Sequence, residues 1–159
     1  MARTTSGHLL IADISGYTNY LTSSELEHAQ EVLSSLMELL IDRTLPPLRV
    51  AGLRGDAVFS YGIAGAAGGG QALVEMIEDT YVAFRRAIEQ MVLNTTCACN
   101  ACANISTLDL KFLVHHGTFS IAQLRGTDEL VGSAVNELFR LLKNRITETT
   151  GVRAYTVYT

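Results

Sequence analysis

The 159-residue sequence contains no tryptophan, two prolines and three cysteines. All three cysteines fall within residues 97–102, an odd number in one short stretch, which is a poor disulfide framework and excludes the cross-linked class of small secreted domains. Basic residues are also scarce: 12 Lys and Arg stand against 16 Asp and Glu, for a net charge of −4. That balance argues against nucleic acid as a partner, because phosphate backbones are met by clustered Lys and Arg. No apolar run approaches the roughly 18 residues that mark a membrane span. Residues 1–7 lack the basic-then-apolar layout of a signal peptide. The expectation is a cytoplasmic protein without a membrane partner. What is abundant is apolar surface: 48% of residues are hydrophobic and 18% charged, enough to bury a full core in a single domain over residues 1–159.

Leu9, Leu10, Ile11 and Ala12 form an apolar run that ends at Asp13 before the turn-prone Ser15-Gly16, which reads as a buried strand delivering an acid at its tip. Ser23 and Ser24 then precede a helical pattern carried by Val32, Leu33, Leu36, Met37, Leu39 and Leu40, stopped by Pro46-Pro47. Residues 48–53 and 57–61 read as two strands joined by an Arg54-Gly55-Asp56 turn. Residues 62–70 are rich in Gly and Ala but lack a Gly-Lys-Ser/Thr ending, so they read as a loop rather than a phosphate-cradling one. A second long helix is expected over 71–93. A hairpin turning at His116-Gly117 is expected over 108–124, a helix over 130–146 and a last strand over 154–158. This order, β-α-β-β-α-β-β-α-β, implies an α/β (α+β) fold with helices packed on a largely antiparallel sheet.

Two carboxylates, Asp13 at a strand end and Asp56 at a hairpin turn, occupy positions from which they can converge. Mg²⁺ is commonly held by one or two carboxylates together with substrate phosphates. Ordinary turn chemistry is the plain alternative for both. Asn136 and Arg140, four apart on one helix face, suit a phosphate or a sugar oxygen, and a solvated face is the alternative.

Taken together, the segment Leu10-Ile11-Ala12-Asp13-Ile14-Ser15-Gly16-Tyr17-Thr18, the Gly55-Asp56-Ala57-Val58 hairpin, Val114-His115-His116-Gly117 and the Gly132-x-x-Val135-Asn136-x-x-x-Arg140 helix resemble the class III nucleotidyl cyclase catalytic domain. They occur in that family's order over nearly the whole chain. The resemblance implies a ferredoxin-like cyclase homology domain acting as a homodimer on a nucleoside triphosphate, ATP or GTP. Asp13 and Asp56, with the backbone carbonyl of Ile14, would hold two Mg²⁺ or Mn²⁺ ions. Asn136 and Arg140 of the second subunit would orient the ribose and stabilise the charge developing at phosphorus.

Departures from the pattern bear on the base and the triphosphate. The position where purine-specifying cyclases carry a Lys is Gly52. The second base-reading position is Glu129 instead of the Asp of adenylyl cyclases, and an acid there still accepts from an exocyclic amine, which leaves adenine open. The family's C-terminal strand pair, with its Lys for the triphosphate, has no counterpart here: the expectation is that the native chain runs longer, that triphosphate binding is weaker, or that Lys143, Arg145 or Arg153 substitutes. A catalytically degenerate nucleotide- or metal-sensing dimerisation module is therefore the alternative to a cyclic-nucleotide-forming lyase.

Residues 94–107 read as an insertion carrying Cys97-x-Cys99-x-x-Cys102, which cyclase-like bacterial proteins of one branch resemble in having. Three thiolates so close together suit Zn²⁺, which in structural sites takes four S or N ligands. The fourth ligand is open: His8, His115, His116 or a group from outside the chain. An Fe–S cluster, or small half-buried thiols, are the other readings.

Overall fold

The computed structural model describes residues 2–44, 46, 48–65 and 69–159. Its organising element is strand β1 (Arg3–Ser15). The unbroken run Leu9 to Ile14 is interrupted by no polar side chain except Asp13. It therefore suits a strand covered on both faces, where side chains alternate outward on either side. Leu10, Ala12 and Ile14 enter one core and Leu9 and Ile11 the other, all at most 1% exposed. Each such Leu or Ile contributes about 1.5–3 kcal/mol by leaving water.

β1 lies between β3 (Ala57–Ile63) and β4 (Asp109–Leu124), with β2 (Arg49–Arg54) beyond β3 and β5 (Thr127–Val131) beyond β4. All these neighbours are antiparallel. The short β6 (Thr156–Tyr158) runs parallel to β4 beside Phe112, Leu113 and Val114, on the edge that β5 uses further along. One face is covered by α2 (Leu26–Thr44) and α3 (Gly69–Asn94), through Leu33, Leu36, Leu40, Leu73, Ile77, Phe84 and Ile88. The other is covered by α5 (Ser133–Leu141), through Ala134, Val135 and Leu138. The described residues also form short α-helices α1 (Tyr17–Thr22), α4 (Asn100–Ala103) and α6 (Ile146–Thr150), and a 3-10 turn at Ile105–Thr107. The antiparallel core with helices on both sides is the fold expected from the motif order, and the β2-β3-β1-β4 order is its ferredoxin-like centre.

Register sets up one end of the sheet. Asp13 pairs with Ala57 on one side and with Lys111 on the other, so it stands next to the β2–β3 turn. That turn is two residues long, between the paired Arg54 and Ala57, and Gly55 takes the φ of 63° that a tight hairpin turn demands.

Several elements differ from the sequence expectation. No hairpin turns at His116-Gly117: β4 runs straight through, opposite His8 and Gly7 of β1. Gly117 is instead a packing position, since a Cβ there would lie 2.7 Å from the Cβ of Ala134 on α5. The true turn is at Arg125-Gly126, where both residues have positive φ. Leu130 and Val131 belong to β5, so the helix expected over 130–146 begins at Ser133 and ends at Leu141. Their apolar run fits either period, and the ladder from Thr127 to Val131 decides it. The short α1 lay hidden between the first strand and the first long helix. Part of the expected 62–70 loop (residues 66–68) and Pro47 of the helix stop lie outside the described residues.

Candidate functional site

Asp13 and Asp56 meet at the end of the central strands. The Ile14 N–H donates to the Asp56 carbonyl at 3.2 Å, which ties the tip of β1 to the β2–β3 turn. A hollow of about 540 Å³ opens there, lined by Asp13, Ile14, Asp56, Lys111 and Glu148 and by the stretch Ser15 to Asn19. The Ile14 side chain is buried in the core, so this residue meets the hollow through its backbone.

Asp13 is 8% exposed. Burial first, and the negative charge of Asp56 second, push its carboxyl up from the usual range to about 7, against the opposing pull of Lys111. Lys111 Nζ lies 3.2 Å from Asp13 Oδ2. Sequence reasoning missed this lysine, and the alternation of a strand leading into Val114-His115-His116-Gly117 was the only signal for it. Glu148 is paired with Arg145, which leaves Asp13 and Asp56 beside the single Lys111 ammonium and this end of the hollow short of positive charge. An all-oxygen donor set of this kind fits a hard divalent cation such as Mg²⁺ or Mn²⁺.

A second hollow of about 530 Å³ adjoins the first, sharing Ser15, Gly16, Asn19 and Lys111, and carries Arg153, Thr107 and Asn104 on its wall. Of the three basic residues considered for a triphosphate, Arg153 lines this space, and Lys143 and Arg145 do not. Arg145 pairs instead with Glu148 at 2.8 Å. The Arg153 guanidinium donates to the Thr107 carbonyl, and its backbone carbonyl accepts from Ser15 Oγ at 2.9 Å.

Asn136 and Arg140 are exposed on the outer side of α5 and do not line the aspartate hollow of their own chain. Arg140 reaches Glu137 at 3.6 Å, a surface pair of little energetic weight. Glu129 sits half-buried on β5 opposite Ala122, also away from the hollow. Its neighbour Asp128 is held by Tyr61, whose hydroxyl donates at 3.0 Å. Gly52 follows a register shift in β2, with open space where a side chain would project.

The cysteines gather at the far end of α3. Cys97, Cys99 and Cys102 stand around His28 of α2, whose Nδ1 is 3.6, 3.2 and 3.6 Å from the three sulfurs in turn. The three histidines considered from sequence lie elsewhere. His8 and His116 pack edge to face at 4.9 Å across β1 and β4, and His115 bonds Thr159. His28 escaped notice because its partners are 69 to 74 residues away along the chain.

Residues 33–150 match the family described as "Protein of unknown function (DUF2652)". The chain belongs to this family. The uncharacterized protein Rv2561/Rv2562 of Mycobacterium tuberculosis is 28% identical over 116 residues, covering 72% of this chain and 52% of that protein. The DUF2652 chain thus spans about half the length of the curated relative it matches. Among solved structures, a bacterial light-regulated adenylyl cyclase superposes with a TM-score of 0.73 at 14% identity, over 98% of this chain and 44% of that one. A class III adenylyl cyclase-like ATP-binding protein from Pseudomonas aeruginosa gives 0.71 at 18% identity, over 98% and 34%. These likenesses establish the fold as that of the cyclase homology domain.

Proposed function

We propose that this DUF2652 chain binds a nucleoside triphosphate with divalent metal at the Asp13–Asp56 end of the sheet, between two copies, and converts it to a cyclic nucleotide, with ATP favoured. The observation that carries the reading is the convergence of Asp13, Asp56 and the Ile14 backbone on one hollow, with Asp13 poised at about 7 by burial and by its neighbour's charge. Such a pair is stabilised by a cation, and the ATP-binding Pseudomonas structure with the same fold supports a triphosphate as the cation's companion.

Asp13, Asp56 and the Ile14 carbonyl would hold the metal ions. Mg²⁺ or Mn²⁺ held there would supply the positive charge that favours loss of the ribose 3′-hydroxyl proton and offsets the triphosphate, the chemistry needed for that oxygen to displace pyrophosphate at the α-phosphorus. Lys111, 3.2 Å from Asp13, opposes the burial that favours its protonated form, and Arg153 meets the outer phosphates from the adjoining hollow. Asn136 and Arg140, outward-facing on α5, serve the hollow of a second copy, where Asn136 orients the ribose and Arg140 stabilises charge at phosphorus. Glu129 accepts from the exocyclic amine of adenine.

The open space at Gly52, where no side chain reaches toward a base, favours a second reading: a nucleotide-sensing dimerisation module without turnover. Incubation of the purified protein with each nucleoside triphosphate and Mn²⁺, followed by chromatography for a cyclic product, separates the two. A product that disappears with Asp56→Ala supports the cyclase, and saturable binding without product supports the module. Neither binding nor product sinks both.

A further inference from the structure

We propose that His28, Cys97, Cys99 and Cys102 form a complete Cys₃His site for one structural Zn²⁺, which staples the start of α2 to the crossover between α3 and β4. The proposal stands apart from the nucleotide reading and needs none of its residues.

Hydrogen bonding does not account for the geometry. An imidazole nitrogen offers one donor or one acceptor direction, in the ring plane. Here a single Nδ1 has three sulfurs at 3.2 to 3.6 Å, arranged around it, and only one of them can lie on that direction. A central ion explains all three distances. With Zn–S near 2.3 Å and Zn–N near 2.0–2.1 Å, the N···S edge of a tetrahedron is about 3.5 Å. The four ligand atoms all lie within 4.8 Å of one another, so shifts of about 1 Å or less bring them to the S···S edge of about 3.8 Å that a tetrahedral ion sets. None of the three cysteines is disulfide-bonded.

The donor set selects the ion. Three thiolates and one imidazole suit Zn²⁺, whereas a hard cation prefers oxygen and an Fe–S cluster is held by four thiolates. Backbone contacts arrange the ligands in advance. The Cys102 N–H donates to Cys99 Sγ at 3.4 Å, and the Ala103 N–H donates to the Cys99 carbonyl at 2.9 Å, which curls the Cys99-x-x-Cys102 turn around its sulfurs. On the other side Glu25, just ahead of α2, accepts from the Ala101 N–H at 3.0 Å. Tyr20 of α1 donates to the Ala101 carbonyl at 3.0 Å. The corner carrying His28 is therefore already docked on the cysteine turn. A hollow of about 380 Å³ borders His28, Cys97 and Cys102 and gives the ion a route in.

The consequence is mechanical. Tyr20 and Asn19 of α1 line the hollow beside the aspartates, so the zinc staple fixes the corner that roofs that end of the sheet.

The test uses the full chain, purified under reducing conditions without added chelator. Elemental analysis should return one zinc per chain, and X-ray absorption should show three sulfurs and one nitrogen around it. His28→Ala should cut zinc occupancy at least tenfold under dialysis against a competing chelator, and His8→Ala should leave it unchanged. If His28→Ala fails to fold, His28→Cys decides, because a fourth thiolate restores the tetrahedron: occupancy near one with four sulfurs supports the site, and loss of metal overturns it. Full zinc retention in a folded His28→Ala, a first shell without nitrogen in the unmodified protein, or a chain that carries no zinc after growth in zinc-supplemented medium would each overturn the proposal.

Discussion

Asp13 and Asp56 are brought together by the ladder of the central strands, whereas His28 and its three cysteines are gathered from a helix start and a crossover far along the chain. The carboxylate end is incomplete by itself. It carries like charges side by side, and Asn136 and Arg140, which the proposed function assigns to the hollow of a second copy, are exposed and do not line it. The thiol end contains all four ligands in one copy. If both proposals hold, the difference separates two uses of metal: one where open coordination serves a ligand that comes and goes, and one where closed coordination serves the fold.

The largest expected effect breaks the first end while sparing the second. Asp56→Ala should lower cyclic-nucleotide formation by roughly 10³-fold or more, in line with the loss of a catalytic metal, while zinc content stays at that of the unmodified chain. Arg140→Ala should lower kcat by about 100-fold, since it removes a contact made at the transition state. Mixing Asp13→Ala and Arg140→Ala chains should then restore activity to roughly a quarter of normal. A random two-fold dimer population is half mixed, and each mixed dimer keeps one intact site. No recovery on mixing, with exchange of subunits verified, would place both residues in one copy and undo the two-copy reading.

Stability probes sharpen the contrast from the other side. Stripping zinc with a thiol-competent chelator should lower the melting temperature by about 10 °C or more, as for the loss of a ligand that binds only the folded chain. Withholding Mg²⁺ should leave it unchanged in the absence of nucleotide. A smaller effect belongs to Asp13. Its native carboxyl sits near 7 and its unfolded one near 3.8, so the native state holds the extra proton between those values. Stability contributed by that proton is present below pH 3.8 and is lost as pH rises through 7. Asp13→Asn should therefore stabilise the metal-free protein at pH 8 by on the order of 1 kcal/mol, with less gain at pH 5, measured by urea unfolding. Of similar size is Tyr20→Phe, which removes the donor to Ala101 and should cost about 1 kcal/mol in the same assay.

Much of the carboxylate end was legible because its information is local. An apolar run ending in Asp13 and a Gly55-Asp56 turn each name a position at a strand end, and the register of antiparallel strands does the rest. Asn136 and Arg140 were legible as a helix face, and α5 does expose them. The element order also followed from periodicity, although β4 absorbed what had read as a hairpin. There a glycine signalled close packing against Ala134, and glycine does not distinguish that duty from a turn. The remainder was not legible because it depends on contacts across long separations. Lys111 matters only through its register with Asp13, and His28 only through the corner that Glu25 and Tyr20 dock on Ala101.

Gly117 carries a consequence for the outer surface of the molecule. With no side chain between sheet and helix, α5 settles low, and the depth at which it rides sets how far Asn136 and Arg140 project. A methyl group added beneath the helix would raise that whole row without altering one residue of it. The reach of the exposed face is thus governed from its buried underside, by an atom the chain leaves out.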